Sequence, residues 1–354
     1  MKAVPYGLGF LCLALAGACD DGRPFDAGPS ELAISGGGVT VMTRNLYVGA
    51  DVDAVIAAIV SPDPADDLPA LAAAIQMFGE TDFSRRAGAI ADEIARTRPH
   101  VVGLQEVSDI DLSLPPLGVD IHQRFLPILL SALAARGLDY AVTAQVQNID
   151  AAPLPGVQLV DYDVLLTDRE RVTVIASGGK NFSANLGTVA PGVTLQRGYV
   201  TADATIGGVG YTFASTHLES GNAAGLAGLR AVQIGELAQE LSGKSRVVVM
   251  GDLNDAPDSP MHLTLSNAGF LDVWAVLRPG TAGYTCCHAT DLANVAQTFD
   301  QRLDYVWSRG LGQGSGAGIG QVALVGEVPA DRIAGPSHSI WPSDHAGLVA
   351  LLRP

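Results

Sequence analysis

The stretch from Val247 to Asp255, VVVMGDLND, places the strongest constraint on the fold. Four consecutive apolar residues, three of them Val, are typical of a strand that is buried on both faces. Polar residues begin at Asp252, and because strand side chains alternate, Asp252 and Asn254 can point the same way. A carboxylate beside a carboxamide suits chemistry on phosphate, although the same residues also occur in ordinary turns.

Charge limits the partners that this chain can bind. Of its 354 residues, 21 are Lys or Arg and 37 are Asp or Glu, which gives a formal net charge of −16 at pH 7. A surface of that sign repels polyanions. Binding of nucleic acid or of an anionic membrane would therefore need a local basic patch or a bridging metal ion.

The N-terminus predicts export. Lys2 precedes an apolar run from Leu8 to Leu15, which is too short to cross a bilayer, and the small residues 16–18 precede Cys19. This pattern resembles a bacterial lipoprotein signal, which implies that Cys19 is acylated and becomes the mature N-terminus. Residues 16–18, Ala-Gly-Ala, equally fit an ordinary cleavage site, and the alternative is a freely secreted protein. We predict a signal at 1–19, a Gly- and Pro-rich tether at 20–38 and a folded domain at 39–354.

Two adjacent cysteines, Cys286 and Cys287, remain for the folded domain once Cys12 and Cys19 are assigned to the signal. They lack the C-x-x-C spacing of a zinc site, and their number excludes a disulfide scaffold. In an exported protein the pair could form a vicinal disulfide, and two buried thiols are an equal alternative.

Short apolar runs alternate with amphipathic segments along residues 39–354, which indicates layers of sheet with helices outside. We predict helices at 52–60 and 68–78, one capped by Ser84, one from His122 to Arg136, and one capped by Asn222.

Polar residues follow or interrupt several of the predicted strands. They are Asn45, Gln105 with Glu106, His217, Asp304, and Asp344 with His345. Asp304 lies inside an apolar strand, where an unpaired charge is costly, so it should have a partner, and a His is the obvious one. Asp161 and Asp163 flank another strand and could approach a cation, but we favour solvent-facing positions for both.

In order, this series resembles the motifs of the endonuclease/exonuclease/phosphatase superfamily, which includes deoxyribonuclease I, abasic-site endonucleases, inositol-phosphate phosphatases and bacterial sphingomyelinases. The resemblance covers about 300 residues, the whole predicted domain. It implies an α/β fold: a two-sheet β-sandwich flanked by helices on both outer faces, in four layers, with the site at one edge.

The resemblance also implies a metal site. Glu106, with help from Asn45, would hold a divalent cation, and Asp344 would support the metal or His345. Magnesium is the expected ion, with Mn²⁺ or Ca²⁺ as alternatives, because hard oxygen ligands suit such cations.

Catalytic roles follow from the same resemblance. His345, paired with Asp304, would activate or position the attacking water, and Asp252 would orient it. His217 and Asn254 would stabilise negative charge in the transition state. Whether Asp252 or His345 takes the proton is left open.

The substrate is predicted less sharply. Arg44, Arg197, Arg230 and Arg302 lie near motif residues and could form an anion pocket, and Trp341 could line a lipid or base pocket or be structural. We predict a metal-dependent phosphodiesterase, nuclease-like first, with a sphingomyelinase-like or small-phosphoester hydrolase as the alternative. A non-catalytic binding protein that keeps the fold is the alternative from another class. The expected partners are nucleic acid or phospholipid, and a membrane through the N-terminal lipid.

Overall fold

A computed structural model of the chain describes residues 38–63, 65–311 and 320–353. The predicted signal, and the predicted tether before Gly38, lie outside the described residues. Within these ranges no helix has the length and apolar character needed to cross a membrane.

The α-helices of the described residues lie between Val52 and Leu277. They are α1 (Val52–Val60), α2 (Asp67–Thr81), α3 (Phe83–Thr97), α4 (Phe125–Ala134), α5 (Leu226–Glu240), α6 (Pro260–Asn267) and α7 (Val273–Leu277).

The strands account for most of the remaining structure. They are β1 (Val39–Asn45), β2 (Val101–Leu114), β3 (Val119–Arg124), β4 (Tyr140–Ala151), β5 (Val157–Asp168), β6 (Thr173–Asn181), β7 (Gly187–Ala190), β8 (Val193–Leu195), β9 (Gly198–Ile206), β10 (Val209–His217), β11 (Val247–Asp252), β12 (Leu271–Asp272), β13 (Asp304–Arg309), β14 (Gln321–Val325), β15 (Ile333–Ala334), β16 (Ser339–Ile340) and β17 (Gly347–Leu352).

Two mixed sheets form the centre of the molecule. In the first sheet the order is β14-β17-β1-β2-β5-β4-β8-β7, with β3 paired to the far end of β2. In the second it is β12-β13-β11-β10-β9-β6. The parallel pairs β1–β2 and β10–β11 each join strands whose connection contains helix, as parallel pairing requires.

Three apolar clusters show that the sheets and helices form four layers. Val41 and Val101 of the first sheet pack against Val248 of the second, and these residues form the cluster between the sheets. Met42 and Val102 point the opposite way, into the cluster under α2, α3 and α4. Neighbouring residues alternate between clusters because successive strand side chains point to opposite faces.

The outer face of the second sheet is covered in the same way. Val249 and Trp307 lie in a cluster with Ile234 of α5 and Met261 of α6. The two sheets therefore lie between two helical layers, and the predicted fold class, an α/β two-sheet sandwich with helices on both outer faces, is confirmed.

Close approach of the two sheets depends on one glycine. A Cβ atom added to Gly103 would lie 2.4 Å from the Ser215 hydroxyl oxygen. Beside it, Gln105 donates a hydrogen bond of 3.0 Å to the same hydroxyl. The motif residues at the ends of β1 and β10 and within β2 are thereby drawn toward each other across the sandwich.

Three predicted helix starts were wrong. His122 lies in β3, which pairs with β2, and the helix begins at Phe125, because residues 119–124 alternate between half-buried and exposed as strand residues do. Helix α3 begins at Phe83 after Asp82, not at a Ser84 cap. Helix α5 begins after Gly225, not at Asn222.

Candidate active site

Register places the motif residues of the second sheet side by side. His217 pairs with Asp252 across the parallel β10–β11 ladder, and Asp252 pairs with Asp304 across the antiparallel β11–β13 ladder. In the first sheet, Asn45 pairs with Gln105 where β1 and β2 meet. All these positions lie at the same edge of the sandwich.

His345 and Asp304 form a buried pair. His345 Nδ1 lies 2.8 Å from Asp304 Oδ2, so the buried carboxylate has the histidine partner that the sequence predicts. Burial alone would lower the pKa of His345, but the carboxylates of Asp304, Asp344 and Asp252 raise that pKa well above its usual value. The hydrogen bond at Nδ1 leaves Nε2 as the ring atom that faces the site.

Asp252 connects the two histidines. Its Oδ2 atom lies 3.6 Å from His217 Nε2 and 3.8 Å from His345 Nε2, and its Oδ1 accepts the backbone N–H of Asn254 at 3.0 Å. Burial raises the pKa of Asp252 to about 6, against the opposing charge of His345. We call His217, Asp252, Asp304 and His345 the histidine half of the site.

His217 is held in its neutral form. Burial, with the positive charges of Arg197 and His345, lowers its pKa well below the usual value. Its backbone N–H donates to Asp163 Oδ2 at 2.9 Å, which anchors the end of β10. A neutral imidazole at this position can donate to or accept from an oxygen without adding charge.

Glu106 lies at an irregularity inside β2, not at the strand's end. The pairing of β2 with β5 shifts register between Leu104 and Val107, and Glu106 has a positive φ of 56°. Its Oε1 accepts from Asn45 Nδ2 at 2.8 Å and its Oε2 from the Val48 N–H at 2.7 Å. Bulges re-aim side chains in this way beside active sites.

Carboxylates crowd this side of the cavity. Burial first, and then Asp344 and Asp161, raise the pKa of Glu106 to about 8. Burial likewise raises the pKa of Asp344, and it raises the pKa of Asp161 to about 6. We call Glu106, Asp161 and Asp344 the acidic half. Hard oxygen ligands whose negative charges oppose one another fit a divalent cation.

Asn45 is oriented as a donor. Its Oδ1 accepts the Tyr47 N–H at 2.8 Å, and its Nδ2 lies 2.8 Å from Glu106 Oε1 and 3.2 Å from Asp252 Oδ2. The network therefore assigns the amide nitrogen to the carboxylates. In this orientation the Asn45 amide nitrogen positions Glu106 and Asp252, and its oxygen accepts from the backbone of Tyr47.

The motif series that converges here also matches a family model. The model of the Endonuclease/Exonuclease/phosphatase family matches residues 75–345. The chain belongs to this family. Members of the family hydrolyse phosphoester bonds, and they typically use divalent metals.

Solved structures share the fold at low sequence identity. An endonuclease/exonuclease/phosphatase family protein from Leptotrichia buccalis has a TM-score of 0.56 at 15% identity, covering 89% of this chain and 100% of its own. One from Beutenbergia cavernae has a TM-score of 0.52 at 20% identity, covering 90% and 72%. D. rerio TDP2 complexed with single strand DNA product has a TM-score of 0.51 at 15% identity, covering 90% and 99%. No protein with a curated description matches the sequence.

One cavity of about 320 Å³ is lined by residues from both halves of the site. Glu106 and Asp344 line it together with His217, Asp252 and His345. Asn254 also lines it, but its side-chain amide donates to the Leu218 carbonyl at 3.0 Å, which leaves one N–H for the cavity.

Of the predicted anion-pocket residues, Arg197 alone is among those that line this cavity. It is buried and pairs with Glu219 at 3.4 Å. Three other arginines do not line the cavity as predicted, because each pairs with a carboxylate elsewhere. Arg44 pairs with Glu93, Arg230 with Asp255 and Arg302 with Asp272, at 3.0, 3.0 and 2.8 Å.

Trp341 is structural. It is fully buried, its Nε1 donates to the Asn294 carbonyl at 2.7 Å, and its ring stacks on His288 at 4.0 Å between centroids. It does not line the cavity, so of the two alternatives for this residue the structural role holds and the lipid or base pocket does not.

Sequence reasoning undervalued two groups. Asp161 and Asp163 are buried, not solvent-facing, because the second sheet and its loops cover this face of β5. Cys286 and Cys287 are paired as a vicinal disulfide that lines the cavity, which is one of the two alternatives that the sequence left open. One sequence feature could have indicated that the cysteines lie at the site: they are followed by His288 and lie in a loop between two strands that carry motif residues.

Proposed function

We propose that this protein is a divalent-metal-dependent phosphodiester hydrolase in which water attacks phosphorus. One observation carries the proposal: an acidic half and a histidine half face the same cavity, bridged by Asn45. Such a cavity can place a cation and a proton-transfer pair against one phosphate group.

Glu106 and Asp344 would hold the cation, with Asn45 orienting Glu106. Both residues line the cavity, and the negative charge of Asp344 already acts on Glu106. A bound divalent cation would supply Lewis-acid polarisation of a phosphoryl oxygen. Magnesium is the first ion to test, followed by Mn²⁺ and Ca²⁺, because the ligands are hard oxygen atoms.

Asp252 and His345 would position the attacking water and take its proton. Asp252 Oδ2 and His345 Nε2 lie 3.8 Å apart, so one water can reach both atoms. Asp304 would keep Nε2 directed at the cavity through its bond to Nδ1. His217 and the free N–H of Asn254 would donate to charge that develops on the phosphoryl oxygens.

Nucleic acid is the first substrate class to test. One structural neighbour, D. rerio TDP2, is complexed with single strand DNA product, and the family name includes nucleases. The acidic lining of the cavity, however, favours contact with only a short stretch of a nucleic acid backbone. The cavity is lined by Asp51, Asp53 and the acidic half, against Arg197 as the lining residue with a fixed positive charge.

An amphiphilic phosphodiester is the second candidate, favoured by the apolar side of the cavity. Val52 of α1 and Leu159 line both the main cavity and a smaller, apolar one of about 50 Å³. Helix α1 reads VDAVIAAIV, yet Ala58 is its one buried residue. An apolar helix with partly covered side chains at the mouth of the site suits an apolar substrate group.

Hydrolysis assays separate these possibilities. We expect the purified protein to cleave bis-p-nitrophenyl phosphate with Mg²⁺ and to lose activity with EDTA. Plasmid DNA and sphingomyelin then distinguish the nuclease-like from the lipid-directed candidate. If Mg²⁺ binds and none of the three is cleaved, the non-catalytic binding protein is favoured and the hydrolase proposal fails.

We also propose that the protein is exported and anchored to a membrane through acylated Cys19, with periplasmic or outer-surface location. The basis is the sequence of residues 1–19, which lie outside the described residues. Metabolic labelling with palmitate, followed by detergent partitioning, tests it. The Cys19→Ser variant should lose the label, and equal labelling of variant and wild type would rule out Cys19 as the acylation site.

A further inference from the structure

The segment Thr285–His288 is hydrogen-bonded to both strands that carry the His345–Asp304 pair. Thr285 Oγ1 accepts the backbone N–H groups of Leu303 and Asp304, each at 3.1 Å. The Thr285 carbonyl accepts the Ala346 N–H at 2.8 Å, and the His288 N–H donates to the Asp344 carbonyl at 2.9 Å. The segment is therefore fixed relative to His345.

The two cysteines of this segment lie against His345. Cys287 Sγ is 3.9 Å from His345 Nε2, and the two sulfur atoms and a His345 ring nitrogen all lie within 4.8 Å of one another. Cys286 is fully buried, whereas Cys287 is open to solvent at the cavity. The disulfide can therefore be reached by a reductant from the cavity side.

We propose that reduction of the Cys286–Cys287 disulfide creates a binding site for a thiophilic metal ion such as Zn²⁺, with His345 Nε2 as the third ligand. A dithiol reductant supplies two electrons and two protons, the S–S bond breaks, two thiols form, and the reductant closes its own disulfide. Both thiols and Nε2 of the protonated His345 ring then lose their protons to solvent as the metal ion binds the two thiolates and Nε2.

The surroundings of His345 favour this ligand set. Thiolate and imidazole are the ligands that Zn²⁺ prefers, whereas Mg²⁺ prefers carboxylate oxygens. Asp304 accepts from Nδ1 of His345, and a carboxylate on the far nitrogen orients most metal-binding histidines. Three protein ligands in a solvent-accessible cavity also leave a fourth position for water.

A metal ion on Nε2 would compete with phosphoester hydrolysis, and this part of the inference rests on the proposed function. His345 Nε2 is the atom that would meet the attacking water. The oxidised protein should therefore be active in the presence of Zn²⁺ at concentrations that inhibit the reduced protein. The cavity would then respond to both redox state and thiophilic metal.

Cd²⁺ provides a direct probe of thiolate binding, because thiolate-to-cadmium charge transfer absorbs in the ultraviolet and carboxylate binding does not. The protein is reduced with a phosphine, kept in excess Mg²⁺, and titrated with Cd²⁺. We expect a one-to-one absorbance change in reduced wild type and none in oxidised wild type. The Cys286→Ser, Cys287→Ser double variant should give none in either state.

His345 is tested by affinity. His345→Ala and His345→Gln should each weaken Cd²⁺ binding about 10-fold or more, since one of three ligands is lost. The two variants are compared after thermal unfolding has shown that each is folded. Absence of the absorbance change in reduced wild type, or equal affinity in a folded His345 variant, would overturn the proposed site.

Activity provides the second measurement. Inhibition by Zn²⁺ should follow reduction in the wild type and should not depend on reduction in the double serine variant, each compared with its own uninhibited rate. If reduction increased Zn²⁺ inhibition equally in the wild type and in the double serine variant, the proposed competition between Zn²⁺ and hydrolysis at His345 would be overturned. Because Cd²⁺ absorbance needs no turnover, a protein that binds Cd²⁺ as expected but cleaves no substrate would refute the proposed hydrolase and leave the metal site supported.

Discussion

The two halves of the cavity differ in how their charge is balanced. In the histidine half each carboxylate has a nearby imidazole, with Asp304 bonded to His345 and Asp252 within 3.8 Å of two histidines. In the acidic half, Asp161 is buried, Glu106 and Asp344 are half-buried, and the negative charges of Asp344 and Asp161 oppose that of Glu106. The negative charge of the histidine half is offset by its own imidazoles, and the carboxylates of the acidic half are suited to a bound cation.

This difference separates two functions that a phosphoryl-transfer site needs. A prearranged proton-transfer pair can be built from side chains alone. Charge stabilisation by a metal needs ligands that stay close despite mutual repulsion, which the fold enforces at some cost in stability. Asn45, which donates to Glu106 and Asp252, contacts both halves.

The largest expected effect is the loss of His345. In His345→Ala the turnover number should fall by on the order of 10³-fold, because the water loses its proton-transfer partner. Binding of Mg²⁺, measured by calorimetry, should change little, since the acidic half is intact. His122→Ala, at an exposed histidine that pairs with Asp111, is the matched control and should keep full activity. A fully active His345→Ala would abolish the distinction between the halves.

Loss of an acidic ligand comes next. Glu106→Gln should lower activity about 100-fold at limiting Mg²⁺ and recover part of it at saturating Mg²⁺, because metal affinity is what changes. In the wild type, Mg²⁺ at 100 times its dissociation constant should stabilise the fold by about 2.7 kcal/mol, and EDTA should remove that gain. Thermal unfolding measures the stabilisation by Mg²⁺ and its loss with EDTA. Glu170→Gln, at an exposed carboxylate, is the control. An Mg²⁺ affinity unchanged by Glu106→Gln would contradict the assignment.

Asn45→Ala tests the contact between the halves. We expect about a 10-fold loss of Mg²⁺ affinity, as for other residues that orient metal ligands. Combined with Glu106→Gln, the two losses should be less than additive because the side chains share a hydrogen bond. A double-mutant cycle on Mg²⁺ affinity measures this, with the exposed Asn267→Ala as control. Strict additivity would mean that Asn45 does not act through Glu106.

The smallest effect is expected at Arg197, which lines the cavity outside both halves. Arg197→Lys keeps the charge but loses the planar donor geometry, so the KM for bis-p-nitrophenyl phosphate should rise a few-fold, on the order of 1 kcal/mol, at a similar turnover number. Arg169→Lys, an exposed residue paired with Asp139, is the control. If turnover fell instead of affinity, Arg197 would belong to the catalytic residues.

Much of the fold could be predicted from local pattern. The run Val247–Met250 indicated a strand covered on both faces, and it lies in a sheet between two layers. The helix Val52–Val60 was predicted with its observed bounds. Periodicity is a local property, so it needs no knowledge of distant residues. His122 was assigned to a helix because its pairing with β2 is not local.

The arginines show why part of the site could not be predicted. Arg44 is next to Asn45 in sequence, whereas Arg197 and Arg230 lie 20 and 13 residues from His217, the nearest motif residue, yet of these three Arg197 alone lines the cavity. The other two pair with Glu93 and Asp255, 49 and 25 residues away in sequence. Which charge meets which partner depends on long-range packing, and proximity in sequence carries no information about it.

By itself, the sequence determined the layered α/β class and the chemical kinds of group available: buried strands that end in carboxylates, amides and histidines. Tertiary structure alone decided that Asp304 and Asp252 meet histidines while carboxylates meet at Glu106, that Asn45 donates to Glu106 and Asp252, and that two cysteines lie against His345. The physical reason is that burial and charge pairing arise only when segments hundreds of residues apart meet, whereas strand and helix patterns are written in neighbouring residues.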